Sequence, residues 1–166
     1  MEPRIREQSP LVNFYRDSYT KHVSINKGGL MPMTHNRFSS PVQAEEAFYS
    51  AFHRCDTESM AAVWARDNVI CVHPGSYAIV GYDAVMRSWT NIFTNSELPE
   101  IQVNLLSSIV DDNLAVHMVE EYLRTGDDNH ASVLATNIYR KFADSWRMVS
   151  HHGSVVNAPA ESHTLQ

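Results

Sequence analysis

From Glu100 to Val156 the chain is strand after strand, and that run constrains the fold more than anything before it. Four β-like segments, Glu100 to Val110, Leu114 to Arg124, Ala131 to Phe142 and Ser145 to Val156, are separated only by short polar clusters. These are Asp111-Asp112-Asn113, Gly126-Asp127-Asp128-Asn129 and Ala143-Asp144. Asn, Asp and Gly favour turns because they tolerate left-handed backbone or bond to their own main chain. Connections this short join antiparallel neighbours.

Helical signals come earlier. Ser40-Pro41-Val42-Gln43 supplies an N-cap, a proline at the first helical position and a glutamine placed for a capping box. Ala44, Phe48 and Phe52 follow at helical spacing, with Ala47, Ala51 and Cys55 one position behind. Asp56 caps a second helix carrying Met60, Val63 and Trp64. Asn68 to His73 and Tyr77 to Val80 read as short strands, stopped by Pro74-Gly75 and Gly81. Gly81 to Phe93 reads as a third helix, with Val85, Trp89 and Ile92 on one side. Helices followed by a meander make an α+β domain. The expected architecture is a curved antiparallel sheet whose concave face is covered by the three N-terminal helices, with a pocket between the layers.

Residues 1–38 lack sustained periodicity and read as a mobile or loosely docked extension; 39–157 form the domain and 158–166 a tail. Met1, Met31 and Met33 all stand open as the start. The formal net charge is -6 and no dense Lys/Arg cluster occurs. That argues against nucleic acid or an anionic membrane surface as partner. No apolar run approaches the ~18 residues of a spanning helix, and no secretory signal is recognisable. Cys55 and Cys71 sit in no CxxC pattern and read as buried, reduced thiols, so a cytoplasmic location is expected.

The last hairpin ends in adjacent histidines, His151 and His152, which point to opposite faces unless the strand bulges. With a turn at Ala143-Asp144, Lys141 pairs with Trp146, Tyr139 with Met148 and Asn137 with Ser150. One face then holds Ala135, Asn137, Tyr139, Trp146, Met148, Ser150 and His152, the mixed composition of a ligand pocket. The other holds Ile138, Arg140, Phe142, Arg147, Val149 and His151, which suits a homodimer contact through the sheet face, or solvent. A one-residue slip would reverse the assignment. As drawn, His152 rather than His151 belongs to the pocket.

His73, at a strand end, is a second acid–base candidate; its plainer role is to bond a turn carbonyl. Alternation in the second long strand groups Met118, Glu120 and Tyr122 against His117, Val119 and Glu121. An inward Glu120 beside His152 would make a carboxylate–imidazole pair, against the plainer reading of a solvated or interface glutamate. Trp64, Tyr77 and Trp89 are candidate aromatic lining, or plain core. No HExxH, one-face HxH or clustered acid pattern supports a metal, and no cofactor is expected.

Several of these pieces resemble one family. They are Ala47-Phe48-Tyr49-Ser50-Ala51-Phe52, Val63-Trp64-Ala65, Cys71-Val72-His73-Pro74-Gly75, Val80-Gly81-Tyr82-Asp83-Ala84-Val85 and Trp146-Arg147-Met148-Val149-Ser150-His151-His152. Over residues 40 to 157 the chain resembles the SnoaL-like, ketosteroid-isomerase-like branch of the nuclear transport factor 2-like superfamily. The resemblance implies a cone-shaped scaffold that hosts isomerases, dehydratases, cyclases and also assembly domains. Fold alone does not choose among them. The expectation is a pocket for a small, partly apolar molecule, with proton-transfer chemistry if it is an enzyme. A non-catalytic binding or oligomerisation domain is the alternative.

Overall fold

The computed structural model describes residues 37–95, 99–125, 129–143 and 145–156. The expectations for residues 1–36 and 158–166 lie outside the described residues.

Helix α1 (Pro41–His53) starts where its capping residues place it: Ser40 accepts from the Gln43 amide, and Gln43 Oε1 reaches back to the Ser39 amide at 2.9 Å. Helix α2 (Thr57–Val63) is capped by Asp56, which accepts from the Ser59 amide at 3.0 Å. Strands β1 (Ile70–Val72) and β2 (Ile79–Val80) are short. Gly81, with φ +92, turns the chain into helix α3 (Tyr82–Asn95), a backbone setting that favours glycine. Strands β3 (Glu100–Val110), β4 (Leu114–Thr125), β5 (Asn129–Phe142) and β6 (Ser145–Val155) form the meander.

The sheet order is β2-β1-β6-β5-β4-β3. Every neighbouring pair is antiparallel except β1 and β6, which run parallel, so the sheet is mixed rather than wholly antiparallel. The exception has a plain origin. A parallel pairing needs a long crossover, and α3 and the first three meander strands supply it here.

The helices bury one face of this sheet. Phe48, Phe52, Met60, Val63, Val85 and Trp89 meet Ala115, Val119, Leu123, Val133, Ala135, Tyr139 and Met148 in one core. Trp64, at the end of α2, bridges to Met148 of β6, and the Ala65 amide donates to the Met148 carbonyl at 2.9 Å. Phe38 packs on the start of β6: its amide donates to Ser145 Oγ at 3.1 Å, its carbonyl accepts from the Trp146 amide, and Arg147 stacks on its ring. Cys55 was expected on the buried stripe but is exposed, because α1 stops at His53 and Cys55 takes a left-handed turn (φ 52). Cys71 is buried. Among the described residues no helix is long and apolar enough to cross a membrane.

Candidate functional site

The hairpin register starts as the sequence suggests. Lys141 pairs with Trp146 and Tyr139 with Met148. A β-bulge then intervenes: Ile138 pairs with Ser150, so Val149 is the extra residue, and Asn137 meets His151. One inserted residue flips every later side chain. His151 therefore joins Asn137, Tyr139 and Met148 on the buried face, 3% exposed. His152 is exposed, paired with Thr136, and Ser150 shares its outer face. The expected placement of His152 and Ser150 in the pocket is thus corrected, and the cause is the bulge rather than a longer turn.

Strand β4 resolves the other way as well. His117, Val119, Glu121 and Leu123 point to the helices, while Met118 and Tyr122 are exposed and Glu120 is half-buried on the outer face. The inward carboxylate is Glu121, not Glu120, because His117 faces the inward Asn137 across β4 and β5. Tyr77, expected as lining, is 93% exposed. Trp64, Trp146 and Met148 are buried, but in the core that anchors α2 and Phe38 rather than around the cavity.

Between α1 and the sheet lies a buried polar network. Tyr49 Oη donates to Glu121 Oε1 at 2.7 Å. Asn137 Nδ2 donates to Tyr49 Oη at 3.1 Å and to Glu45 Oε2 at 3.2 Å. Tyr139 Oη donates to the same Glu45 oxygen at 3.2 Å. His151 Nδ1 lies 2.7 Å from Asn137 Oδ1. His117 Nδ1 is 3.1 Å from Glu45 Oε2, within ion-pair range but off the line of a hydrogen bond, and its Nε2 has no partner among the described residues. Glu45 and Tyr49 are the residues the sequence reading missed. A signal existed: they sit at i and i+4 on the buried side of α1, one turn apart with Phe48 between.

The network opens onto a thin cleft walled by Phe48, Phe52, Pro74, Trp89, Ile92, Ile101 and Leu123, with Tyr49, His73, Glu121 and His151 as its polar groups. Of about 390 Å³ of empty space, only about 20 Å³ is wide enough for the centre of a water molecule. The ring of His151 lies against Phe48, centroids 5.3 Å apart, and His73 meets Trp89 edge-on at 4.7 Å. His73 and Trp89 were expected near a pocket and both line the cleft. His73 Nε2 is 3.0 Å from Ser88 Oγ, which donates to the Val85 carbonyl at 2.7 Å. A wider surface groove of about 610 Å³ runs past Glu100, Tyr122, Arg124 and His130, but Arg124 is already paired with Glu100 there.

Burial sets the protonation of these groups. It lowers His151 to about 3, helped by the nearby His73 and His152, and lowers His73 to about 4. Both imidazoles are neutral at pH 7. Burial raises Glu121 to about 7; the Tyr49 hydrogen bond opposes the rise and the Glu45 charge adds to it. Glu121 thus exchanges its proton near neutrality, where a general acid or base works best. Burial pushes Cys71 up to about 12, so its thiol is inert. Among the described residues no group of three or more His, Cys, Asp or Glu is placed to hold a metal ion.

Comparison with known proteins follows the geometry. The SnoaL-like domain family matches residues 42–158. A solved protein from Thiobacillus denitrificans, assigned as a calcium/calmodulin-dependent protein kinase type II association domain, is 39% identical with a TM-score of 0.69, covering 73% of this chain and 98% of that one. A protein of the NTF2-like family from Streptomyces avermitilis, assigned as a dehydratase, is 29% identical with a TM-score of 0.62, covering 69% and 93%. The F-box protein SKIP8 of Arabidopsis thaliana is 23% identical over 150 residues, which span 87% of this chain but only 64% of that protein. A ketosteroid isomerase-like protein from Erwinia carotovora atroseptica shares the fold at 21% identity and a TM-score of 0.59. The chain belongs to the SnoaL-like domain family, within the nuclear transport factor 2-like superfamily.

Proposed function

We propose that this chain binds a small, partly apolar molecule in the cleft between α1, α3 and the sheet, and transfers a proton on it, in chemistry of the isomerase, dehydratase or cyclase type. The observation that carries this reading is the juxtaposition, in one apolar cleft, of a neutral buried imidazole, His151, and a carboxyl group, Glu121, that titrates near pH 7. His151 and His73 are the base candidates and Glu121 the acid–base partner. Tyr49, Asn137 and Tyr139 orient them. The dehydratase assignment of the Streptomyces relative is compatible with this set.

The test is deuterium incorporation from heavy water into a panel of small neutral ketones, followed by NMR. His151→Phe should lower exchange by about 10²–10⁴-fold, the usual worth of a positioned acid–base group. His152→Ala should leave it near wild type. Exchange that is absent, or indifferent to His151→Phe, would favour the second reading, a non-catalytic binding or assembly domain. That reading has its own support in the 39% identity to a protein assigned as an association domain.

A homodimer through the outer sheet face is part of the proposal. Met118, Tyr122, Leu134 and Phe142 lie exposed there, beside the half-buried Ile138. Light scattering should return twice the 18.8 kDa chain mass, and Leu134→Lys should shift it toward one. A wild-type monomer at micromolar concentration would remove this element.

A further inference from the structure

Hydrogen positions in the network follow from which atoms can only accept. Asn137 spends both amide hydrogens, one on Glu45 Oε2 and one on Tyr49 Oη. The Tyr49 hydroxyl has already given its hydrogen to Glu121. The amide of Asn137 is therefore held one way round, with Oδ1 toward His151. An amide oxygen accepts and never donates. The hydrogen in the 2.7 Å contact between Asn137 Oδ1 and His151 thus sits on Nδ1. A neutral imidazole with its proton on Nδ1 has its lone pair on Nε2. That nitrogen belongs to a ring that lines the cleft, and it has no hydrogen-bond partner among the described residues.

The same logic applies to His73. Ser88 Oγ gives its hydrogen to the Val85 carbonyl, so it accepts from His73 Nε2–H, and the lone pair of His73 is on Nδ1. The two imidazoles of the cleft are wired by different partners, His151 by Asn137 of β5 and His73 by Ser88 of α3; the Cys71 thiol lies 3.9 Å from His73 Nδ1, so the freer acceptor is His151 Nε2. Glu121 Oε1 already accepts from Tyr49. Trp89, also in the wall, holds a buried Nε1–H with no partner among the described residues. No lysine or arginine lines the cleft, so an anion would meet acceptors and a carboxyl group with nothing to pair its charge. The cleft is bounded by the rings of Phe48, Phe52 and Trp89, which meet edge to face and leave room for little more than a water molecule, so a ligand enters by displacing them.

We propose that the cleft receives an uncharged molecule through an O–H or N–H donated to His151 Nε2, and that Asn137, pinned by Glu45, is the positioning residue that sets this polarity. A hydroxyl fits best. It gives its hydrogen to the imidazole and keeps oxygen lone pairs for an N–H donor. The inference rests on the reading that the cleft binds small molecules and adds which ones.

The experiment uses the full chain with ¹⁵N-labelled histidine. Long-range ¹H–¹⁵N NMR reports which ring nitrogen of His151 carries the proton. The expected result is a single Nδ1–H tautomer at neutral pH in the wild type, and a mixture in Glu45→Gln, where the amide is no longer pinned by a carboxylate. Should Glu45→Gln fail to fold, the wild-type tautomer decides alone: an Nε2–H ring overturns the proposal. Four probes of similar size then titrate the same signals: phenol, anisole, benzoate and benzylamine. Phenol should perturb His151 at least tenfold more strongly than the others at equal concentration. Anisole keeps the ring and the oxygen but has no hydrogen to give. Anisole matching phenol, or benzoate or benzylamine exceeding it, overturns the polarity while leaving small-molecule binding intact. No response to any of the four, with the Nδ1–H tautomer present, overturns the ligand assignment and the binding reading together.

Discussion

Asn137→Leu should cost the fold about 3–5 kcal/mol, among the larger losses a single polar substitution can produce here. Leucine has nearly the same bulk, so the loss is not a cavity effect. It strands three groups at once. The His151 Nδ1–H loses its acceptor, Tyr49 Oη its donor and Glu45 one of its charge-assisted bonds, all buried. A buried donor left without a partner costs about 1–3 kcal/mol, and a bond to a charged group is worth about 1.5–3 kcal/mol. Urea denaturation at pH 7 measures the sum. Glu120→Gln is the control: Glu120 lies on the outer face, and its replacement should stay within about 0.5 kcal/mol. A loss under about 1 kcal/mol for Asn137→Leu would mean the network is not held as described.

Stability should fall as pH drops below 6.5, and the fall should flatten below about 4. His151 and His73 have pKa values lowered by burial, from 6.5 to about 3 and about 4. Below pH 6.5 the unfolded chain takes up protons at both rings while the native state does not, so acid favours unfolding. Glu121 acts in the opposite sense. Its pKa is raised by burial from 4.5 to about 7, so its contribution is fully present below pH 4.5 and is lost as pH rises through about 7. Between pH 4.5 and 6.5 it cancels about one of the two histidine protons. The net slope there is about 1.4 kcal/mol per pH unit, and it stays near that value down to about pH 4, because native His73 begins to take up its own proton as the Glu121 contribution fades. Urea midpoints across this range test the account, and Glu121→Gln gives it a signature. Removing an acid should make the protein more sensitive to acid between pH 4.5 and 6.5, because the cancelling term is gone. An unchanged slope in that variant would show that Glu121 titrates at its ordinary pKa.

Much of the fold was legible because its signals are local. Ser40-Pro41 and Asp56 announce helix starts through bonds to amides three residues on. The polar cluster Asp111-Asp112-Asn113 falls between two strands as expected, and Glu100–Val110 matches its expected bounds. The resemblance carried by Phe48, Trp64 and the Trp146 to His152 run pointed to the right family. The site was less legible. Alternation tells which residues of a strand share a face but not which face is covered, and Glu121 and Glu120 differ only in that. Glu45 was overlooked because a charged residue on a helix is usually solvated; only its neighbours in space, Asn137, Tyr139 and His117, make it part of a core. His151 was misplaced for a subtler reason. The bulge at Val149 has no signature in composition, since it is a choice of pairing made across two strands.

That bulge divides β6 into two reading frames with separate duties. Ahead of it, Trp146 and Met148 tie down Phe38 and the end of α2. Beyond it, His151 faces the cleft, and Gly153 approaches Pro74 so closely that an added Cβ would lie 2.9 Å from the proline ring. The slack residue between them acts as a phase adjuster. A change of length in the hairpin turn would have to be paid out at Val149 before it could exchange one histidine for the other. Drift in the scaffold end of the strand is thereby insulated from the cleft at its far end.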